Sequence, residues 1–67
     1  MRVKSLVAQL REVRGIKQYQ LAERVGIRAS FLSEIENGFK NPSLPIALQL
    51  ADALDCDVRD LFSLPID

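Results

Sequence analysis

Residues 18–38 read Q-Y-Q-L-A-E-R-V-G-I-R-A-S-F-L-S-E-I-E-N-G, and this stretch decides the fold. Leu21, Ala22 and Val25 recur at the spacing of one helical face, and Leu32 and Ile35 repeat the pattern after a short break. Gly26 and Gly38 each follow the last apolar residue of a run, where glycine takes the left-handed conformation that ends a helix. Between the runs, Gly26 to Arg28 leave room only for a sharp corner. Two short helices meeting steeply through a glycine-containing turn make a helix-turn-helix.

Both helices begin against the rules. The first is expected from Gln18 to Gly26 and the second from Ala29 to Asn37, which puts Lys17 and Arg28 at the capping positions. Neither side chain can accept a hydrogen bond from the first amides, and a missing cap costs about 0.5–2 kcal/mol. A cation at the positive end of the helix dipole adds about 0.3–1 kcal/mol. Rules broken in this way are expected at functional sites, and a phosphate or base edge facing both helix starts would turn each penalty into attraction. A cap position displaced by one residue, or a water cap, is the alternative.

Working outward, Leu6, Val7, Leu10 and Val13 are spaced as a first helix, with Ser5 as its N-cap and Gly15 at its end. Met1–Lys4 alternates apolar and basic, either as a short strand or as a frayed terminus. Pro65 forbids helix in Ser63–Ile66, and the two extended pieces would pair as a short terminal β-ribbon. Downstream, Asn41-Pro42 marks a turn, Ser43 caps a fourth helix and Pro45 fits in its first turn. Leu44, Ala47, Leu50, Ala51 and Leu54 are expected as its buried stripe. Asp57 caps a last helix, Val58 to Phe62, whose Leu61 and Phe62 close the core. Ile46, Leu48, Leu64 and Ile66 are left over, and spare apolar residues on a small domain mark either a partner surface or ordinary exposed side chains.

The 67 residues suit one domain spanning 1–67, all-α, whose single core supplies only a few kcal/mol of net stability. That thin margin leads us to expect self-association. No apolar run approaches the roughly 18 residues of a membrane span, and the first residues lack the apolar core of a secretion signal. A cytoplasmic location is expected. One cysteine, Cys56, and no histidine exclude an intramolecular disulfide and any familiar zinc constellation, so neither metal nor cofactor is expected. No Ser or Cys stands beside a plausible base, and there is no phosphate loop or apolar carboxylate pair, which argues against an enzyme.

The zero net charge hides a division. Residues 1–40 carry eight cations (Arg2, Lys4, Arg11, Arg14, Lys17, Arg24, Arg28, Lys40) against four glutamates (12, 23, 34, 36), a net +4. Residues 41–67 carry Arg59 against five aspartates (52, 55, 57, 60, 67), a net −4. A basic unit holding the helix-turn-helix and an acidic remainder would orient the domain on a polyanion such as DNA, unless the charges are simply scattered over a solvated surface.

Five motifs in order then carry a resemblance: L-R-x-x-R-G (10–15), Q-x-x-L-A-x-x-V-G (18–26), S-F-L-S-x-I-E-N-G (30–38), N-P-S-L (41–44) and L-A-x-A-L-x-x-x-V-x-x-L-F (50–62). The chain resembles the Cro and phage-repressor type of helix-turn-helix domain, the XRE family, over nearly its whole length. The resemblance implies a five-helix, lambda-repressor-like DNA-binding domain, and a transcriptional regulator that acts as a dimer. The resemblance also implies the docking geometry of phage repressors, with the second helix of the motif in the major groove. By that likeness Arg28, Ala29, Ser30 and Glu34 would reach base edges from helix three. Arg28 would fork onto guanine, Ala29 touch a thymine methyl, Ser30 bond a base or phosphate, and Glu34 accept from cytosine. The alternatives for Glu34 are repelling phosphate from a wrong register or pairing with a neighbouring cation.

Lys17, Gln18, Asn37, the Gly38 amide and Lys40 would hold phosphates, contacts that position the protein without reading sequence. Tyr19 would either reach a phosphate or pack on helix one, and Phe31 would pack between helix three and the following loop. The resemblance also implies an ion pair between Arg11 and Glu36. Lys17 and Arg28 depart from the family's small capping residues, and Asp55 stands where glycine commonly ends helix four. Cys56 aligns with an apolar position and is expected as a buried structural thiol.

The sequence thus suggests a homodimeric repressor reading an inverted repeat in double-stranded DNA. Its interface would use Cys56, Val58, Leu61, Leu64 and Ile66, with Ile46 nearby. Control would come through concentration, autoregulation or a partner protein. The rival readings are an antitoxin or adaptor that mainly holds a partner protein, and a restriction-modification controller.

Overall fold

Leu21, Leu32, Leu50, Leu54, Leu61 and Val7 are completely buried, and every helix among the described residues contributes at least one of them. The computed structural model describes residues 2–65. Along them run β1 (Lys4–Ser5), α1 (Val7–Val13), α2 (Gln18–Val25), α3 (Ala29–Glu36), α4 (Leu44–Ala53), α5 (Val58–Leu61) and β2 (Phe62–Ser63). The all-α, five-helix architecture expected from the apolar spacing is what forms, with α2 packed on α1, α3 and α4, and α5 on α4.

The apolar face of α2 explains its central place. Leu21, Ala22 and Val25 are all buried in one cluster with Leu32 of α3 and Leu50, Ala51 and Leu54 at α4. At about 25 cal/mol per Å² of apolar surface removed from water, each fully buried leucine contributes about 1.5–3 kcal/mol toward holding the helices together. The terminal ribbon also forms, antiparallel, with Lys4 opposite Ser63 and Ser5 opposite Phe62. Its second strand lies one residue earlier than expected, because α5 ends at Leu61 and Phe62 is already extended (φ −131°, ψ 135°).

Other expectations are corrected. Leu44 is 69% exposed and Val13 is 81% exposed, so neither belongs to a buried stripe. Leu44 is the first residue of α4 and Val13 the last of α1, so each sits at a helix end. Ser5 is in the ribbon and not the N-cap of α1, which is Leu6, although its Oγ accepts from the Val7 amide at 3.3 Å. Ser43 and Asp57 do cap α4 and α5, accepting from the amides of Ile46 (3.4 Å) and Arg59 (2.9 Å). Among the described residues, no helix is long and apolar enough to cross a membrane.

Candidate nucleic-acid interface

The corner of the helix-turn-helix is closed by Gly26, whose left-handed backbone (φ 75°) ends α2. The Gly26 and Ile27 amides donate back to the carbonyls of Glu23 and Ala22 at 3.3 and 3.0 Å. Ile27 packs against the core, and the chain leaves the corner extended at Arg28 (φ −74°, ψ 145°) before turning into α3. Arg28, Ala29 and Ser30 are therefore brought together, exposed, on the first turn of α3. Glu34 lies one turn further along and is half-exposed.

Lys17 and Arg28 do occupy the N-cap positions, and neither side chain caps its helix. The start of α2 is nevertheless braced in one respect: the Lys17 amide donates to Oε1 of Gln20 at 2.9 Å. Glutamine three residues after a cap is the reciprocal half of a capping box, a signal available in the sequence. The early amides of both helices lack intrahelical acceptors by construction, and each helix start carries a cation.

Behind this face lies the ion pair. Arg11 Nε donates to Glu36 Oε2 at 2.8 Å and its Nη2 to Oε1 at 3.2 Å, while Nη1 donates to the Ile16 carbonyl at 3.0 Å. The side chains are 13% and 5% exposed, so this is a nearly buried, two-pronged bridge between α1 and the end of α3. The hydrogen bond to Glu36 pushes the Arg11 pKa up, against the lowering effect of burial, with the charges of Glu36 and Glu12 adding to the rise. Gln18 joins the bridge, its Nε2 donating to Glu36 Oε1 at 2.9 Å. The Gln18 side chain, expected at a phosphate, is thus tied inward, linking the start of α2 to the end of α3.

At the far end of α3 the expected phosphate donors divide. Lys40 is exposed and makes only a loose surface pair with Glu34 at 3.8 Å, which gives Glu34 the neighbouring cation weighed as its alternative role. Asn37 Nδ2 donates to the Ser33 carbonyl and Oγ at 2.9 and 3.3 Å. The Gly38 amide donates to the Ile35 carbonyl at 3.2 Å, closing the helix, and so is not a free phosphate donor. Tyr19 is 58% exposed, which favours its hydroxyl as a surface contact over packing on α1. Phe31 is half-buried.

The residues expected at a dimer interface are scattered in their exposure. Leu61 is withdrawn from that set, because it is wholly buried in the core of one chain. Val58 and Cys56 are half-buried against the same core, as is Ile46, and Leu64 is 68% exposed. Ile66 lies outside the described residues. The Cys56 thiol is pushed up in pKa, mainly by burial, with Asp60, Asp55 and Asp57 raising it further against Arg14.

Residues 7–61 match the helix-turn-helix family. The chain belongs to the XRE-type helix-turn-helix family. An HTH-type transcriptional regulator of Methanothermobacter thermautotrophicus is 35% identical over 66 residues, covering 97% of this chain and 96% of the relative. Another, from Mycobacterium tuberculosis, is 34% identical over 58 residues, covering 87% of this chain but only 41% of the longer relative. Among solved structures, the restriction-modification controller C.AhdI of Aeromonas hydrophila superposes with a TM-score of 0.76 at 37% identity, over 81% of this chain and 82% of that one. SinR, the master regulator for biofilm formation, in complex with DNA, superposes with a TM-score of 0.73 at 33% identity, over 79% and 86%.

Proposed function

We propose that this protein is a sequence-specific duplex-DNA-binding transcriptional regulator in the cytoplasm, acting as a homodimeric repressor that reads an inverted repeat. The observation that carries the reading is the pair of uncapped helix starts. Lys17 and Arg28 place exposed cations where α2 and α3 turn unsatisfied amides outward, an arrangement that costs stability alone and attracts phosphate when DNA is present. The relatives' description as transcriptional regulators and the SinR complex with DNA support the same assignment.

In this reading α3 lies in the major groove, with Arg28, Ala29, Ser30 and Glu34 toward base edges. Lys17 and Lys40 hold the backbone. Gln18 works indirectly, fixing the start of α2 through Glu36 while the helix amides meet the phosphate. Two protomers would set their α3 helices about 34 Å apart, one helical turn of DNA, which calls for half-sites at that spacing. The exposed Leu64, together with Val58 and Cys56, is the proposed contact between protomers. The test is selection of bound duplexes from a random pool at about 150 mM salt, where nonspecific binding is weakened. Enrichment of an inverted repeat is the expected result.

A second reading has one specific support: the structure of the SinR protein in complex with the SinI protein is similar, with a TM-score of 0.75 at 33% identity, over 81% of this chain and 53% of that one. A partner-holding role would use the exposed Leu48 and Leu64 of the acidic part. A folded chain that enriches no duplex in the same selection would favour it. A controller of restriction and modification, in the manner of C.AhdI, is a variety of the first reading and needs no different chemistry.

A further inference from the structure

The segment before α1 is held at both ends. Toward the C-terminus, β1 pairs with β2, and the Leu6 amide donates to the Leu61 carbonyl at 2.8 Å. Toward the N-terminus, the segment crosses the loop that follows α3. There the Val3 amide donates to Asn41 Oδ1 at 2.9 Å, and Arg2 Nη1 donates to the Gly38 carbonyl at 3.3 Å. Arg2 is thereby carried across 36 positions of sequence to the end of α3, where it is exposed.

We propose that Arg2 is a further DNA-backbone contact, binding a phosphodiester oxygen beside Lys40 at the C-terminal end of α3; this rests on the DNA-binding reading above. The neutral donors expected at that end are already engaged, Gly38 with Ile35 and Asn37 with Ser33. Among the described residues two cations remain there, Arg2 and Lys40, and Lys40 is only loosely paired, with Glu34 at 3.8 Å. A guanidinium has five donors in a rigid fork that matches a phosphate, and the Gly38 carbonyl takes one. The strap orders Arg2 on folding, so less side-chain freedom is lost when phosphate arrives. A plain structural role is the competing explanation, since a cation at the carbonyl end of α3 also stabilises the helix.

The two roles separate in a salt series. The full-length chain is titrated onto a mixed-sequence duplex of about 25 base pairs at several salt concentrations between about 50 and 300 mM, following anisotropy. Arg2→Gln is expected to bind about tenfold more weakly at about 150 mM, and to make the slope of log affinity against log salt shallower by about one. Arg2→Lys, which keeps the charge, is expected to keep the wild-type slope. Arg14→Gln removes the same charge from the acidic surroundings of Cys56 and is expected to leave the slope unchanged. A wild-type slope for Arg2→Gln, whatever its melting temperature, reduces Arg2 to a helix-capping role and overturns the proposal while DNA binding stands. A wild-type chain that shows no salt-dependent duplex binding overturns both together.

Discussion

The helices of the corner and those of the acidic part are built with opposite faults. α2 and α3 start without a side-chain cap and under a cation, yet end in left-handed Gly26 (φ 75°) and Gly38 (φ 76°). α4 and α5 start under Ser43 and Asp57, but α4 ends at Asp55, the one non-glycine residue among those described with a positive φ, 53°. If local stability alone had shaped the chain, both pairs would start alike. The uncapped, cation-bearing starts thus fall on the proposed DNA face, and the capped starts fall in the acidic part.

A pair of helices with weak starts must be held from elsewhere, and beside the apolar core the bridge of Arg11, Glu36 and Gln18 ties them together. Glu36→Ala leaves the Arg11 guanidinium nearly buried without its carboxylate, and breaking such a pair costs about 3–5 kcal/mol. The loss should be read as a large drop in melting temperature or urea midpoint. Glu34→Ala removes a partner at 3.8 Å on the surface and should cost no more than about 1 kcal/mol. Equal losses would show that the corner does not depend on the bridge.

The second test separates stability from binding within one variant. Arg28→Ser supplies the missing cap of α3 and removes the cation, so the fold should gain about 0.5–2 kcal/mol. If Arg28 reads a guanine, the same change should weaken operator binding by about 1–3 kcal/mol and relax preference at one base pair. Melts and competition binding on the selected operator measure the two signs. A variant both more stable and equally tight would mean that Arg28 is a fault without a purpose. The matched change in the acidic part is Asp57→Ala, which should cost about 1 kcal/mol of stability and leave DNA affinity unchanged when measured on folded protein.

Much of this was readable from residue spacing, and the parts that were not share a cause. The buried residues of α2, α3 and α4 announce themselves by period, and Lys17 and Arg28 by the absence of an acceptor. Leu44 and Val13 misled because a helical period cannot say which turns of a helix overhang its neighbours. Leu61 was expected both to close the core and to line an interface, and its complete burial leaves only the first role. The inward turn of Gln18 and the crossing of Arg2 to Gly38 join residues 18 and 36 positions apart in sequence, and only the folded chain brings them together.

The smallest expected effect concerns the other end of the comparison. At φ 53°, Asp55 holds a conformation that costs an L-residue about 1–2 kcal/mol, reduced for aspartate by its tolerance of the left-handed region. Its carboxylate also stands at the carbonyl end of α4, where a negative charge costs about 0.3–1 kcal/mol. Asp55→Gly relieves both, against about 0.4–1 kcal/mol for the extra freedom glycine brings to the unfolded chain. The net should be a gain of about 0.5–1 kcal/mol, seen as a higher urea midpoint with an unchanged slope. An unchanged midpoint would mean that aspartate sits in the left-handed region without strain here. The acidic part would then be free of local faults, and α2 and α3 would stand as the described helices that start uncapped beneath a cation.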